Sequence, residues 1–254
     1  IESLLSHDES SGAYSYMAAC EETGSAANSI SGELTAIDYI EGLESAAITE
    51  ILIEGEDDET REELYKRYLE SFTVSAFGGN IAQYKQRIKE IDGVGGCKIY
   101  PVWNGPGTVK AVVISSSFGE CSETLIEQIK EAAVPSEGGT GYGFAPIDHT
   151  VTVESVKAVK INVDTSLTFK AGITWNTVKD AVTDKIKSYL SGIASAWENG
   201  DEKTEPVVYV SRLEAAVLDI DGIQDIQDTK LNDKAENMTL SWDEIPVIGE
   251  VKSE

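Results

Sequence analysis

The chain has 254 residues, with 20 Lys and Arg against 45 Asp and Glu, a formal net charge of -25, 3 Cys and 2 His. At roughly 100–200 residues per domain, this length fits one large domain or two smaller ones. A hydrophobic fraction of 41% supplies a core and excludes wholesale disorder. The charge excludes autonomous binding to DNA, RNA or anionic lipid, because a phosphate backbone needs a cationic surface. An acidic excess keeps a protein soluble or complements a basic partner.

Cys20, Cys97 and Cys121 form no complete disulfide set and have neither CxxC spacing nor a nearby His. They read as the reduced thiols of an intracellular protein. No run of about 18 apolar residues reads as a membrane span, and the start carries no leader pattern. The chain opens at Ile1 without Met. It reads as the C-terminal part of a longer protein, or as a processed chain.

Residues 1–55 are rich in Ser, Gly, Ala and Glu, with strands expected at Ala13–Cys20 and Ala46–Ile53 around a loop at Gly24–Gly32. A helix follows. Asp57 or Asp58 is its expected cap, and Leu64, Tyr65, Tyr68, Leu69 and Phe72 are its apolar stripe. Asn80 with Gln83 starts a second helix, whose inner face is Ile81, Tyr84, Ile88 and Ile91 and whose outer face carries Lys85, Arg87 and Lys89. Val94–Val102 and Thr108–Ser116 flank Asn104-Gly105-Pro106-Gly107, which predicts a hairpin.

Ser122 caps a third helix with Leu125, Ile126 and Ile129 inside, stopped by Pro135. A Gly-rich loop, Ser136–Gly143, follows it. Thr150–Phe169 is β, with a break in alternation at Ser155–Lys157 that predicts a bend or bulge. Thr174 caps the longest helix, with Val178, Val182, Ile186, Leu190 and Ile193 inward. Pro206–Val210 reads as a strand. Ser211 with Glu214 predicts a capping box on a short helix ending near Asp219. Short strands are expected at Ile223–Thr229, Asn237–Leu240 and Val247–Val251.

One pattern recurs. Ile40-Glu41-Gly42-Leu43, Ile91-Asp92-Gly93-Val94 and Ile220-Asp221-Gly222-Ile223 each precede a strand. The last two follow a helix, where Gly is expected as the C-terminal cap. They suggest two small α+β layers of similar design.

Catalytic patterns are sparse. A Ser/His/Asp triad needs an available His. His7 lies in a frayed start, and Asp148 and His149 point apart if they share a strand. No GxSxG elbow or GxxxxGK[ST] loop occurs, and a Cys121–His149 pair rests on coincidence. Gly93–Gly96 and Gly138–Gly143 lead toward strands, which argues against a phosphate cradle. Asp219, Asp221, Asp225 and Asp228 resemble a calcium loop, but Gln224 and Lys230 stand where it needs Gly and Glu. Glu54–Glu59 is better explained as a helix N-terminus. Trp103, Trp175, Trp197 and Trp242 are candidates for interface anchors or for the edge of a core.

The order of phrases resembles one family. Ala18-Ala19-Cys20-Glu21-Glu22-Thr23-Gly24-Ser25-Ala26-Ala27-Asn28 resembles the A-x-E-x-G-x-x-x-N passage of the baseplate J-like family of contractile phage tails. Gly55-Glu56-Asp57-Asp58-Glu59-Thr60 with Arg67-Tyr68 is similar to its G-x-D-x-E-T…R helix. Phe77-Gly78-Gly79-Asn80-Ile81 with Tyr84, the hairpin through Tyr100–Val109, Ala145-Pro146 and Ile245-Pro246-Val247-Ile248-Gly249 follow in the family's order. The family normally has a further β-rich region before these passages.

The resemblance implies a structural protein of the baseplate wedge, found in phages, defective prophages and phage-tail-like bacteriocins and assembled in the bacterial cytoplasm. It implies no enzymatic activity and no catalytic, cofactor or metal residues. Its implied partners are other wedge subunits around the tail hub and copies of itself, with no nucleic acid and no membrane. The expected fold is α+β, with small mixed and antiparallel sheets and packed helices in two modules. Residues 1–55 are read as a β/loop-rich remnant, 56–147 as one module and 148–254 as the second. Two other readings stay open, a carboxylate-based hydrolase and a calcium-stabilised binding module.

Overall fold

The computed structural model describes residues 1–8, 12–73, 78–135, 139–199 and 204–253, with residues 66 and 70–73 as backbone alone. Phe72 of the expected stripe, Phe77, and residues 136–138 of the Gly-rich loop therefore lie outside the described side chains.

The fold is α+β, as the patterning predicts. Strands β1 (Ser3–Asp8) and β2 (Ala13–Met17) form a hairpin. A 3-10 turn at Ser25–Ser29 precedes a second pair, β3 (Gly32–Leu34) and β4 (Ala46–Ile48). Then come α1 (Arg61–Thr73), α2 (Ile81–Lys89), β5 (Val94–Pro101), β6 (Thr108–Ser115) and α3 (Glu123–Ala133). The chain continues through β7 (Thr150–Ser155), β8 (Lys157–Phe169), α4 (Trp175–Ser195), β9 (Val207–Val208) and α5 (Val210–Leu218). It closes with β10 (Ile223–Leu231), β11 (Met238–Thr239) and β12 (Glu244–Ser253).

Two three-stranded mixed sheets form the body. The first has the order β5-β6-β7, with β5 antiparallel and β7 parallel to β6. Helix α3 makes the crossover that a parallel pair requires. Tyr84 and Ile88 of α2 and Leu125, Ile126 and Ile129 of α3 bury against Ile99, Val109, Ala111, Val113 and Val153. The second sheet has the order β10-β8-β12, antiparallel and then parallel. Strand β8 alternates, with Ile161, Val163, Thr165 and Leu167 buried. The predicted α4 stripe of Val178, Val182, Ile186 and Leu190 covers that face together with Leu213 and Val217 of α5. Burying each such side chain stabilises by roughly 1.5–3 kcal/mol. The buried Thr165 and Thr229 hydroxyls satisfy each other at 2.8 Å.

The predicted break at Ser155–Lys157 is where the chain changes sheets. Val156 N–H donates to Val113 O (2.9 Å), whereas Lys157 N–H donates to Asp243 O (2.9 Å), just before β12. A third cluster fills the junction. Val112 and Ile114 from the other face of β6 pack with Val156, Ala194, Trp197 and Ile245. Trp197 Nε1 donates to Trp242 O at 2.9 Å, and Trp242 lies 4.5 Å from the Tyr100 ring. The buried Lys98 ammonium donates to Thr204 O (3.4 Å) and sits 4.6 Å above the Trp197 ring. Beside it, a Cβ on Gly96 would come within 2.8 Å of the Glu198 carboxylate, so that side chain would have to shift.

Several local expectations are corrected. Helix α1 begins at Arg61, and its cap is Thr60, not Asp57 or Asp58. Thr60 Oγ1 accepts from Glu63 N–H (3.3 Å), and Glu63 Oε2 accepts from Thr60 N–H (2.8 Å), a full capping box. Helix α5 begins at Val210, one residue before the predicted Ser211 cap. Its first N–H finds a tertiary acceptor instead, Asn237 Oδ1 at 3.0 Å. The expected strand Ala46–Ile53 stops at Ile48. Gly93 and Gly222 are not helix caps. Each is the third residue of a turn closed by Val94 N–H to Ile91 O or Ile223 N–H to Ile220 O. Their φ values of 88° and 105° are what that position demands.

Trp197→Ala should lower unfolding free energy by about 3–5 kcal/mol, since it empties the junction cluster and orphans Trp242 O. Urea unfolding followed by circular dichroism measures it. An unchanged midpoint would show that the cluster does not hold the two sheets together.

Candidate assembly interface

The residues tested for chemistry are held apart from one another. Asp148 and His149 lie in a turn, not on a strand, and Asp148 has φ 64°. His149 Nδ1 is 2.8 Å from the Tyr84 hydroxyl, whose pKa burial pushes up to about 12, so it stays protonated. Cys121 is elsewhere. Its thiol donates to Val113 O (3.5 Å), and burial pushes it up to about 12, far from a reactive thiolate. Cys97 is raised to about 12 by the same cause. His7 stacks on Tyr14 with ring centroids 4.1 Å apart.

Three of the four acids of the suspected calcium loop engage separate partners. Asp219 pairs with Lys185 (2.8 Å) and Asp221 with Lys170 (2.7 Å). Asp225 accepts from Ile226 N–H (3.0 Å) and Gln227 Nε2 (2.7 Å). No group of three or more His, Cys, Asp or Glu able to hold a metal ion occurs among the described residues. A hollow of about 250 Å³ includes Glu54, Glu120 and Cys121 in its lining. Two of its carboxylates accept from the backbone, Glu54 from Ser117 N–H (3.0 Å) and Glu120 from Ala158 N–H (2.9 Å).

What stands out is the region 1–73. None of its described residues is buried, and none belongs to the three core clusters. Among its described residues the secondary structure is two isolated strand pairs, the 3-10 turn at Ser25–Ser29 and one helix, and two-stranded hairpins are marginal in water on their own. The α1 stripe expected to face a core is exposed at Leu64, Tyr65, Tyr68 and Leu69. Leu4, Tyr14 and Tyr16 are exposed on the first hairpin, and Ile37, Tyr39, Ile40 and Leu43 in the β3–β4 connection. Exposed apolar groups in this density mark an interaction surface.

The passages quoted for the family resemblance form a clasp in this region. Asn28 Nδ2 donates to Gly55 O and Gly55 N–H to Asn28 Oδ1, both at 2.8 Å. Asp57 accepts from Ser25 N–H (2.8 Å) and Ser25 Oγ (2.7 Å). Arg67 binds both oxygens of Glu59 at 2.8 and 2.7 Å. The segment between then docks on the body. Ser122 Oγ donates to Leu52 O, Gly93 N–H donates to Glu56 (3.0 Å), and Ile53 sits against Gly93. Sequence reading missed this clasp, since it assigned Asp57 to the helix cap. The spacing Gly24-x-x-x-Asn28 was the available signal.

The exposed apolar face and the clasp make residues 1–73 the candidate assembly surface of this α+β chain. Residues 76–155 match the baseplate J-like central domain, and residues 161–254 match the baseplate J-like protein C-terminal domain. The chain belongs to the baseplate J-like family of phage-tail proteins. It is 36% identical over 234 residues to the uncharacterized protein YqbT of Bacillus subtilis (strain 168), covering 91% of this chain and 65% of that protein. It is 33% identical over 235 residues to the phage-like element PBSX protein XkdT of the same organism, covering 92% of this chain and 65% of that protein. The chain thus spans about two thirds of the length of these curated relatives. A chain in the cryo-EM structure of the anti-feeding prophage (AFP) baseplate shares the fold, with TM-score 0.52 and 10% identity over 86% of this chain and 48% of that one.

The clasp should loosen in acid. The Ser25 hydroxyl, and then the Ser25 N–H, hold Asp57 below its ordinary 3.8. Its contribution is therefore present above 3.8 and lost as pH falls through the lower folded value. Glu59 (through Arg67) and Glu63 (through Thr60) are lowered in the same sense. Glu56, raised from 4.5 chiefly by burial, acts oppositely and loses its contribution as pH rises through its folded value. Amide exchange at Ser25, corrected for intrinsic pH dependence, should lose protection below pH 3.8 in the native chain. Asp57→Asn should lack that step. Protection that ignores pH in both would refute the assignment.

Proposed function

We propose that this chain is a structural component of a phage or phage-tail-like baseplate wedge. It assembles with other baseplate subunits, and with copies of itself, around the tail hub, and it relays rearrangement when the tail contracts. Its place is the particle, and its role is mechanical, not enzymatic. The observation that carries the reading is the contrast between a body joined through the junction cluster and a region 1–73 whose described side chains form no core. A rigid block bearing an incomplete apolar attachment surface suits a part that is finished by its neighbours. Membership of the baseplate J-like family, the phage-like element relative and the prophage baseplate fold support it.

In this reading residues 1–55 attach the chain to its surroundings. Residues 56–147 and 148–254 form the central and C-terminal modules. The ion-paired acids and buried thiols favour this over a carboxylate hydrolase or a calcium-stabilised module.

Epitope-tagged chain, expressed with the tail genes of its own locus, should label the end of purified tail particles in electron microscopy. Removing it should leave tails without baseplates. Label along the tail shaft, or complete baseplates without the chain, would overturn the reading. Alone at micromolar concentration the chain should be monomeric, because ring avidity needs the other subunits. A discrete closed ring in light scattering would contradict that.

A further inference from the structure

Charge and exposed apolar surface coincide in the first part of the chain. Residues 1–60 contain 15 Asp and Glu and not one Lys or Arg. Over the same residues lie 11 of the exposed large hydrophobic side chains, from Ile1 to Leu43. The densest stretch is the β3–β4 connection, Ile37-Asp38-Tyr39-Ile40-Glu41-Gly42-Leu43-Glu44, in which apolar and acidic residues interleave. Ile37 is 100% exposed and Tyr39 91% exposed. Tyr39 is a rigid amphipathic side chain of the kind that anchors interfaces.

We infer that the face centred on residues 37–44 docks a cationic, amphipathic protein segment, one carrying Lys and Arg around an apolar stripe. The apolar side chains supply burial, and the flanking carboxylates select the sign of the partner and steer its approach. A second copy of this chain is the wrong occupant. It brings another -25 charges, and its own first 60 residues offer no cation. Anionic lipid and nucleic acid are disfavoured by the same sign. The inference deepens the assembly reading and rests on it for the partner's place in the particle.

The probe is a synthetic amphipathic helix of Leu and Lys, with a Leu and Glu helix of identical pattern as control. Calorimetry gives affinity, and hydrogen exchange on the 254-residue chain gives location. The Lys peptide should bind, protect residues 37–44 and weaken steeply as salt is raised, while the Glu peptide should not bind. The double variant Tyr39→Ser with Ile40→Ser should bind about tenfold more weakly. So should the triple variant Asp38→Asn, Glu41→Gln and Glu44→Gln, since these exposed positions can change without unfolding the chain. Removing three exposed carboxylates from α3 and α4 (Glu127, Asp180 and Asp184) should have little effect. An equal loss from that control, protection outside residues 1–73, or equal binding of both peptides would overturn the inference, leaving only general acidity. The outcome is separable from the particle experiment. Correct labelling of tail ends with no peptide selectivity would sink this inference alone. Peptide selectivity in a chain absent from particles would sink only the assembly reading.

Discussion

Strand β6 carries Ala111, Val112, Val113 and Ile114 in one unbroken apolar run, and a strand apolar on both faces must be covered on both. Ala111 and Val113 point into the core under α2 and α3, and Val112 and Ile114 into the junction with α4 and β12. The rest of the body follows from this double burial. Once β6 is shared, the two sheets are not independent beads on a string. Trp197, Tyr100, Trp242 and the buried Lys98 lock the same junction, and Val156 passes the chain from one sheet to the other without a linker. A force applied to one sheet therefore reaches the other through packed side chains, which deform little.

Residues 1–73 obey a different physics. Their order comes from a few charge-assisted and bidentate hydrogen bonds at Asn28, Asp57 and Arg67, not from burial. Such bonds fix geometry but contribute little net stability when exposed to water. The region keeps its shape locally and leaves its apolar side chains unspent. Those side chains are interleaved with carboxylates, which keeps a sticky surface soluble and at the same time restricts what can cover it.

Much of the body was legible. The stripes of α2 (apart from Ile81, which the structure leaves exposed), α3 and α4, the hairpin at Asn104–Gly107 and the alternation of β8 follow from local pattern, because each has one dominant face and one clear boundary signal. The family was legible too, through short passages in a fixed order. The misreadings share a cause. Asp57 looks like a cap and Leu64 to Leu69 like a core stripe, since both inferences use only near neighbours in sequence. Asp57 instead serves Ser25, 32 residues away. The stripe instead stays about half exposed at Leu64, Tyr65, Tyr68 and Leu69. Ser211 and Glu214 have the spacing of a capping box, yet Asn237 supplies the acceptor first.

The sequence by itself determined most elements of the body, the fold class, the acidic composition and the membership of a baseplate family, because these depend on composition, on period and on contacts a few residues apart; strands β1 and β3 it did not show. It also flagged the break at Ser155–Lys157. Only the tertiary structure decided that this break is the seam between two sheets, that β6 serves both, and that residues 24–28 close on 55–57. It alone decided which apolar residues stay in water. Burial is a property of what comes to lie opposite a side chain, and that partner is set by long-range packing which local pattern does not encode.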